Sequence, residues 1–260
     1  MHSEGQGRGA FMIERDPIAT GAGTGQGVTG PMSRPTSTVA VRQMFDSIAA
    51  TYDRANFILS AGLHRLWERR LVASLSGATH GSCLDLCTGT GALVPRLARR
   101  FGSVTAADIS PQMLAVGRQR HGTIPACEWV EADAQALPFE AERFDAVTIS
   151  YGIRNLPHPD QGLAEAFRVV KPGGELAILE FGQPRNPVWG LIFSLYSRYG
   201  IPFIGALISG SRAPYEYLPS TAAAFPCGGE FEKLLREAGW SPMRSLSLCG
   251  GIAYLYLARK

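Results

Sequence analysis

The feature that most constrains this chain is an alternation of short apolar strands with helices between residues 83 and 258. Strands are predicted at 83–87, 104–107, 126–130, 144–150 and 175–181, with helices at 92–100, 110–119, 160–170 and 231–238. Ser110 and Pro111 read as the N-cap and first residue of the second of these helices, and Lys171-Pro172-Gly173-Gly174 stops the third. The stretches 244–249 and 253–258 read as a closing antiparallel pair. Repeated strand–helix units require an α/β fold: a seven-stranded, mostly parallel sheet with helices on both faces and an antiparallel last strand. Ligands on such a sheet bind beyond the carboxyl ends of its strands, so the chemistry is sought in the residues that follow each strand.

The first strand–turn–helix reads Leu84-Asp85-Leu86-Cys87-Thr88-Gly89-Thr90-Gly91. Gly89 and Gly91 let backbone approach a ligand, and the helix behind them offers unpaired N–H groups. The third glycine of a dinucleotide fingerprint is replaced by Val94, and the Lys-Ser/Thr of a phosphate loop is absent. Asp108 ends the second strand, where a carboxylate accepts from both hydroxyls of a ribose. Asp133-Ala134 follows the third strand, where a side chain and a backbone N–H read an adenine edge. Ser150 closes the fourth, and Asp85 adds a carboxylate near the turn. Three acids around one pocket suit a cationic ligand without phosphates. S-adenosylmethionine fits that description and NAD does not.

Residues 39–76 form an expected helical cap. Met44, Ile48, Thr51 and Tyr52, then Leu63, Leu66, Trp67 and Leu71, recur at spacings of three and four, with a break near Ser60-Ala61-Gly62. The domain is thus expected to span 39–260. Residues 1–38, rich in Gly, Ser, Thr and Pro, read as a disordered tail. Within them Gly21-Ala22-Gly23-Thr24-Gly25-Gln26-Gly27 imitates a phosphate loop, but no strand precedes it and no helix follows. No charged-then-apolar leader is seen, so secretion is not expected. An apolar insertion occupies 185–220. Its longest apolar run, 188–209, contains Arg198, Gly200, Pro202 and Gly205, so two short helices broken at Gly200-Ile201-Pro202 are expected rather than a span.

Composition narrows the function. Hydrophobic residues make up 45% and charged residues 18%, enough for a substantial core. The net charge of +3 comes from interspersed signs, so no nucleic-acid partner is expected. The five cysteines contain no CxxC pair and no histidine cluster accompanies them, which points away from a disulfide framework or a metal and toward a reducing cytoplasm. Cys87 has no activating neighbour in sequence and reads as packing.

The residues so far also carry a resemblance. The chain resembles the class I methyltransferases, and more narrowly the ubiquinone/menaquinone biosynthesis C-methyltransferase family, over roughly 41–260. The similarity lies in Met44-Phe45-Asp46-Ser47-Ile48-Ala49, Tyr52-Asp53, Leu84 to Gly91, Ala107-Asp108-Ile109-Ser110 and Ala134-Gln135-Ala136-Leu137-Pro138-Phe139. Its narrowest stretches are His64-Arg65-Leu66-Trp67 and Tyr151-Gly152-Ile153-Arg154-Asn155-Leu156. The chain departs from the pattern at Ala92, where many relatives have an acid, and at Arg54-Ala55-Asn56. The resemblance implies a Rossmann-like fold and methyl transfer from S-adenosylmethionine to a ring carbon of a reduced polyprenyl quinol. It implies cofactor contacts at Thr90, Asp108, Asp133, Ala134 and Ser150.

An aromatic carbon becomes nucleophilic when a ring hydroxyl loses its proton. Arg154, just past the fourth strand, is expected to stabilise the oxyanion, and Asn155 to orient the ring oxygens. A guanidinium is a poor proton acceptor, so Tyr52, Asp53, His64 or a water is expected to carry the proton. In the insertion, Trp189, Leu191, Ile192, Phe193, Leu195 and Tyr196 are expected to line a channel for the prenyl tail. A cytoplasmic protein touching the inner face of the membrane peripherally follows, and a homodimer is allowed for. Two other functions stay open: a methyltransferase of this fold acting on another small or lipid acceptor, and a non-catalytic nucleoside-binding protein.

Overall fold

The computed structural model describes residues 37–76 and 81–260. The tail 1–36, with its glycine-rich phosphate-loop mimic, lies outside the described residues. Three helices come first: α1 (Thr38–Ile48), α2 (Tyr52–Leu59) and α3 (Leu63–Ser74). The alternating body follows, with β1 (Ser82–Leu86), α4 (Val94–Leu97), β2 (Ser103–Asp108), α5 (Pro111–His121), β3 (Cys127–Glu131), β4 (Phe144–Ser150), α6 (Pro159–Val169) and β5 (Val170–Phe181). Then come α7 (Pro187–Leu195), α8 (Ile201–Ser209), α9 (Ala213–Ala224), α10 (Gly229–Glu237), β6 (Ser241–Leu248) and β7 (Ala253–Arg259).

The strands form one seven-stranded sheet in the order β3-β2-β1-β4-β5-β7-β6. Pairing is parallel from β3 through β5. β7 runs antiparallel to both of its neighbours, wedged between β5 and β6 although it follows β6 in the chain. Alternation along the strands divides the core between the two faces. Leu84, Leu86, Val147 and Ile149 join one buried cluster, while Cys83 and Ala146 join the other with Trp67, Leu71 and Leu93. The order reverses between β1 and β4, and their carboxyl ends define the switch point.

Local chemistry sets the helix starts. Ser37 caps α1 by accepting from the Ala40 N–H at 3.2 Å, and Ser110 caps α5 by accepting from the Met113 N–H at 3.1 Å. Pro111 stands first in α5, as its sequence requires.

Four expectations need correction. The helix expected at 92–100 shrinks to the four residues of α4: Pro95 sits in its first turn, which favours a start there rather than at 92, and turns flank it on both sides. The cap breaks twice rather than once, with Ala49–Thr51 separating α1 from α2. The insertion carries α9, a helix the apolar pattern did not announce, with Pro219 inside it. Finally, the break expected at Gly200-Ile201-Pro202 is absent. Residues 196–200 form a π-helical turn, and helix continues without interruption over Pro187–Ser209, 23 residues that include an 18-residue window of mean hydropathy 1.4. A proline inside a regular helix collides with the carbonyl four residues earlier; the wider turn before Pro202 absorbs that conflict.

Candidate active site at the switch point

The carboxyl ends of β1 and β4 are held in unusual backbone. Cys87 and Tyr151, the residues that follow them, have φ of +56° and +58°, a region that side chains with a Cβ disfavour. Gly152 lies against Cys87 so closely that a Cβ there would collide with it. Burial pushes the Cys87 thiol well up, which leaves it a packing residue.

Around this point lie two cavities. The smaller is lined by Gly89, Asp108, Asp133, Ala134, Ser150 and Asn155, and is covered by Val41 and Phe45 of α1 and Tyr52 of α2. The larger, about 1790 Å³, is lined by Tyr52, Asp53, His64, Asp85, Thr90, Ser150 and Arg154, and roofed by the insertion. Tyr52, Cys87, Gly89, Ser150 and Tyr151 line both.

On the acidic side, Asp108 accepts from the Gly89 N–H at 2.8 Å and the Ser110 N–H at 2.9 Å. Burial raises its pKa, and those backbone donors oppose the rise. Asp133 accepts from the Gln135 N–H at 2.9 Å, and the Gln135 side chain bridges to Thr38 of α1 and to the His158 N–H. Asp85 is fully engaged with hydroxyls, accepting from Thr88 and Thr148 at 2.6 Å each; burial lifts its pKa to about 6. It fixes the glycine turn from beneath.

The two glycines of the turn do different work. A Cβ on Gly89 would meet nothing within 4 Å, so this glycine leaves an open cradle beside the cavities. Gly91 lines neither cavity; a Cβ there would strike the Trp129 ring. The expected supply of free N–H groups behind the turn is also reduced, since α4 is short and the Gly91 N–H already bonds to the Thr88 carbonyl at 2.9 Å. Three polar atoms of residues lining the cleft are buried without a partner among the described residues, Ser150 Oγ, Asn155 Oδ1 and the Tyr151 hydroxyl. Together with the Gly89 cradle and the two acids, they fit a ligand carrying hydroxyls, an amino group and no phosphate.

On the other side, Arg154 is 3% exposed and its Nη1 donates to Glu180 Oε1 at 2.6 Å and to the Tyr151 carbonyl at 2.7 Å. Its Nε has no partner, and its guanidinium lies 5.1 Å above the Phe181 ring. Asn155 donates from Nδ2 to the same Tyr151 carbonyl. Asp53 does not face the cavities freely: it accepts from Thr90 Oγ1 at 2.7 Å and pairs with Arg120, tying α2 to the glycine turn and to α5. Tyr52 packs edge-on against Phe45, and burial raises its pKa. His64 Nδ1 lies 2.6 Å from Ser60 Oγ; burial, then Arg65 and Arg96, lower its pKa to about 4, so its imidazole is neutral and weakly basic.

Two acids of this side were not found by sequence reasoning. Glu180 interrupts the apolar run of β5, and a buried acid in such a strand needs a cation, which was the signal available. Glu68 lies on the buried face of α3 and lines the large cavity. It accepts no hydrogen bond among the described residues, and its nearest cation is Arg96 at 3.7 Å. Burial lifts its pKa to about 7 against the pull of Arg96. Of the six insertion residues expected in the channel, Trp189, Ile192, Phe193 and Tyr196 line the cavity; Leu191 and Leu195 do not.

Comparison with known proteins identifies the family. The ubiE/COQ5 methyltransferase family model matches residues 33–260. The ubiquinone/menaquinone biosynthesis C-methyltransferase UbiE of Bartonella tribocorum is 42% identical over 224 residues, covering 83% of this chain and 86% of that protein. The UbiE of Bdellovibrio bacteriovorus is 40% identical over 222 residues, covering 83% and 94%. Among solved structures, a SAM-dependent methyltransferase of Thermotoga maritima, a possible histamine N-methyltransferase, superposes with TM-score 0.61 at 19% identity, covering 85% of this chain and 99% of that one. Phosphoethanolamine N-methyltransferase 2 of Haemonchus contortus, solved with S-adenosyl-L-methionine, superposes with TM-score 0.57 at 16% identity, covering 75% and 52%. With the match running through both the strand ends and the insertion, the chain belongs to the ubiE/COQ5 methyltransferase family.

Proposed function

We propose that this chain methylates a ring carbon of a reduced polyprenyl quinone precursor, a demethylmenaquinol or the methoxy-benzoquinol of the ubiquinone pathway. The observation that carries the reading is the junction of an acid-lined cleft with an apolar cavity of about 1790 Å³, larger than the roughly 300–1,000 Å³ of ordinary small-molecule pockets. A small polar acceptor needs no such volume; a ring with an isoprenoid tail does.

Bound S-adenosylmethionine supplies an electrophilic methyl group on a sulfonium. Asp108 and Asp133 hold its ribose and adenine ends, and Gly89, Ser150 and Asn155 shape the space between. The cap, residues 39–76, covers that cleft, and the insertion, residues 185–220, roofs the acceptor. Arg154, held by Glu180, donates from its unpartnered Nε–H to a ring oxygen as negative charge develops there. Glu180 offsets its formal charge, so its contribution is a fixed donor rather than a bare cation. Glu68 accepts the hydroxyl proton at its carboxylate: it lines the same cavity and its basicity matches neutral pH. Tyr52 and His64 shape the wall beside it. The reading puts the protein in the cytoplasm at the inner face of the membrane, where its acceptor resides.

The test is complementation of a strain lacking its own quinone C-methyltransferase. Expression of this chain is expected to clear the demethylated quinone and restore the methylated one. An unchanged quinone profile, with S-adenosylmethionine still bound by the purified protein, would replace this reading with methylation of another lipid acceptor.

A further inference from the structure

The outer face of the 23-residue helix is apolar and bare. Val188, Leu191, Leu195, Tyr199, Phe203 and Leu207 recur every three or four residues and are 52–73% exposed. The opposite face is tied to the body along its length. Trp189 Nε1 donates to the Cys249 carbonyl at 3.1 Å and Tyr196 OH to the Leu59 carbonyl at 2.6 Å. Gly205 lies so near Tyr215 that a Cβ would strike its ring. α2 packs beside α8 and adds Phe57 and Ile58, each 45% exposed, with Leu66 of α3 at 56%. A contiguous apolar surface of this kind is rarely left to water.

Two further observations identify its occupant. The first is charge. The helix carries one formal charge, Arg198, and the neighbouring edge of α2 and α3 presents exposed Arg54, Arg65 and Arg69. A second copy meeting this face about a twofold axis would bring arginine against arginine, whereas anionic lipid complements them. The second is the cavity. Phe57, Ile58, Leu63 and Ile192 belong both to the exposed surface and to the wall of the large cavity, so the cavity opens within the patch.

We infer that the outer face of α7–α8, with the edge of α2–α3, seats on an anionic bilayer with the helix lying in the interface, so that the acceptor cavity opens into lipid. The ties on the inner face keep the helix parallel to the body and prevent it from spanning. On the functional reading above, which this deepens, the isoprenoid tail then passes from bilayer to cavity without crossing water.

The full chain is to be floated with vesicles of phosphatidylcholine alone and of phosphatidylcholine with phosphatidylglycerol. It is expected to float with the anionic vesicles, less so as salt rises, and to be released by alkaline carbonate. The double variant Phe203→Glu with Leu207→Glu is expected to lower partitioning about tenfold or more, and Arg198→Glu by a smaller factor. None of these residues lines the cavity, so transfer to a short-tailed quinol free in solution is expected at the wild-type rate. Failure of the wild type to float would overturn the docking, as would resistance to carbonate, which marks a span. A wild-type dimer that the double variant dissociates, without vesicle binding, would assign the face to a second copy. A protein that floats as described but never methylates the soluble quinol leaves the docking intact and removes the quinol reading.

Discussion

At the ends of β1 and β2, nearly every polar atom has a partner: Asp85 is held by two threonine hydroxyls and Asp108 by two backbone N–H groups. Along the outer face of α7 and α8, in contrast, Val188, Leu191, Phe203 and Leu207 lie mostly in the open. The rim reads charge and shape, so it stands on rigid strand ends whose rotamers are fixed by hydrogen bonds. On the docking inferred above, the roof meets hydrocarbon, which offers no directional contact, so chain length and apolarity suffice there.

That contrast can be broken most forcefully at Arg154. Glu180→Ala leaves a buried guanidinium unpaired and is expected to cost about 3–5 kcal/mol of stability, read by denaturant unfolding. Replacing both partners, Arg154→Met with Glu180→Leu, is expected to recover most of that stability while turnover stays lost. If turnover returned with stability, Arg154 would be structural. Next in size is Glu68→Gln, expected to lower kcat/KM about a hundredfold at pH 8. A base must be deprotonated to work, so wild-type activity is expected to climb as pH rises through about 7, and the variant to lose that limb. The same raised pKa favours the folded state at low pH, and that contribution is lost as pH rises from about 4.5 to about 7, so the variant is expected to be the more stable protein above that range. Asp108→Asn is expected to weaken S-adenosylmethionine binding roughly tenfold to a hundredfold by calorimetry. The smallest effect belongs to the roof: Leu191→Ser is expected to move stability by less than about 0.5 kcal/mol and cofactor affinity not at all. A large loss there would mean the outer face is packed after all.

The rim was legible in sequence because each of its demands has a local signature. A strand followed by glycines, and acids directly after successive strands, mark Gly89, Asp108, Asp133, Ala134 and Ser150, and all five line one cavity. What stayed hidden depended on distance along the chain. Asp53, one of several groups expected to carry the proton, latches onto Thr90 and Arg120, partners 37 and more residues away. Gly91 lines neither cavity, and its steric constraint comes from Trp129 on another strand. The helix break at Gly200-Ile201-Pro202 failed for a different reason. Propensity treats proline as a stop, whereas a single π-helical turn accommodates it.

The order of the last strands bears on how the chain is made. β7 lies between β5 and β6, so when β6 leaves the ribosome its strand neighbour among the described residues does not yet exist. Residues 241–248 must wait, unpaired, until 253–259 are synthesised and slotted in. The nascent polypeptide therefore carries an open sheet margin at β5 for the whole time that the greasy roof is being translated, which marks the interval when a chaperone has most to protect.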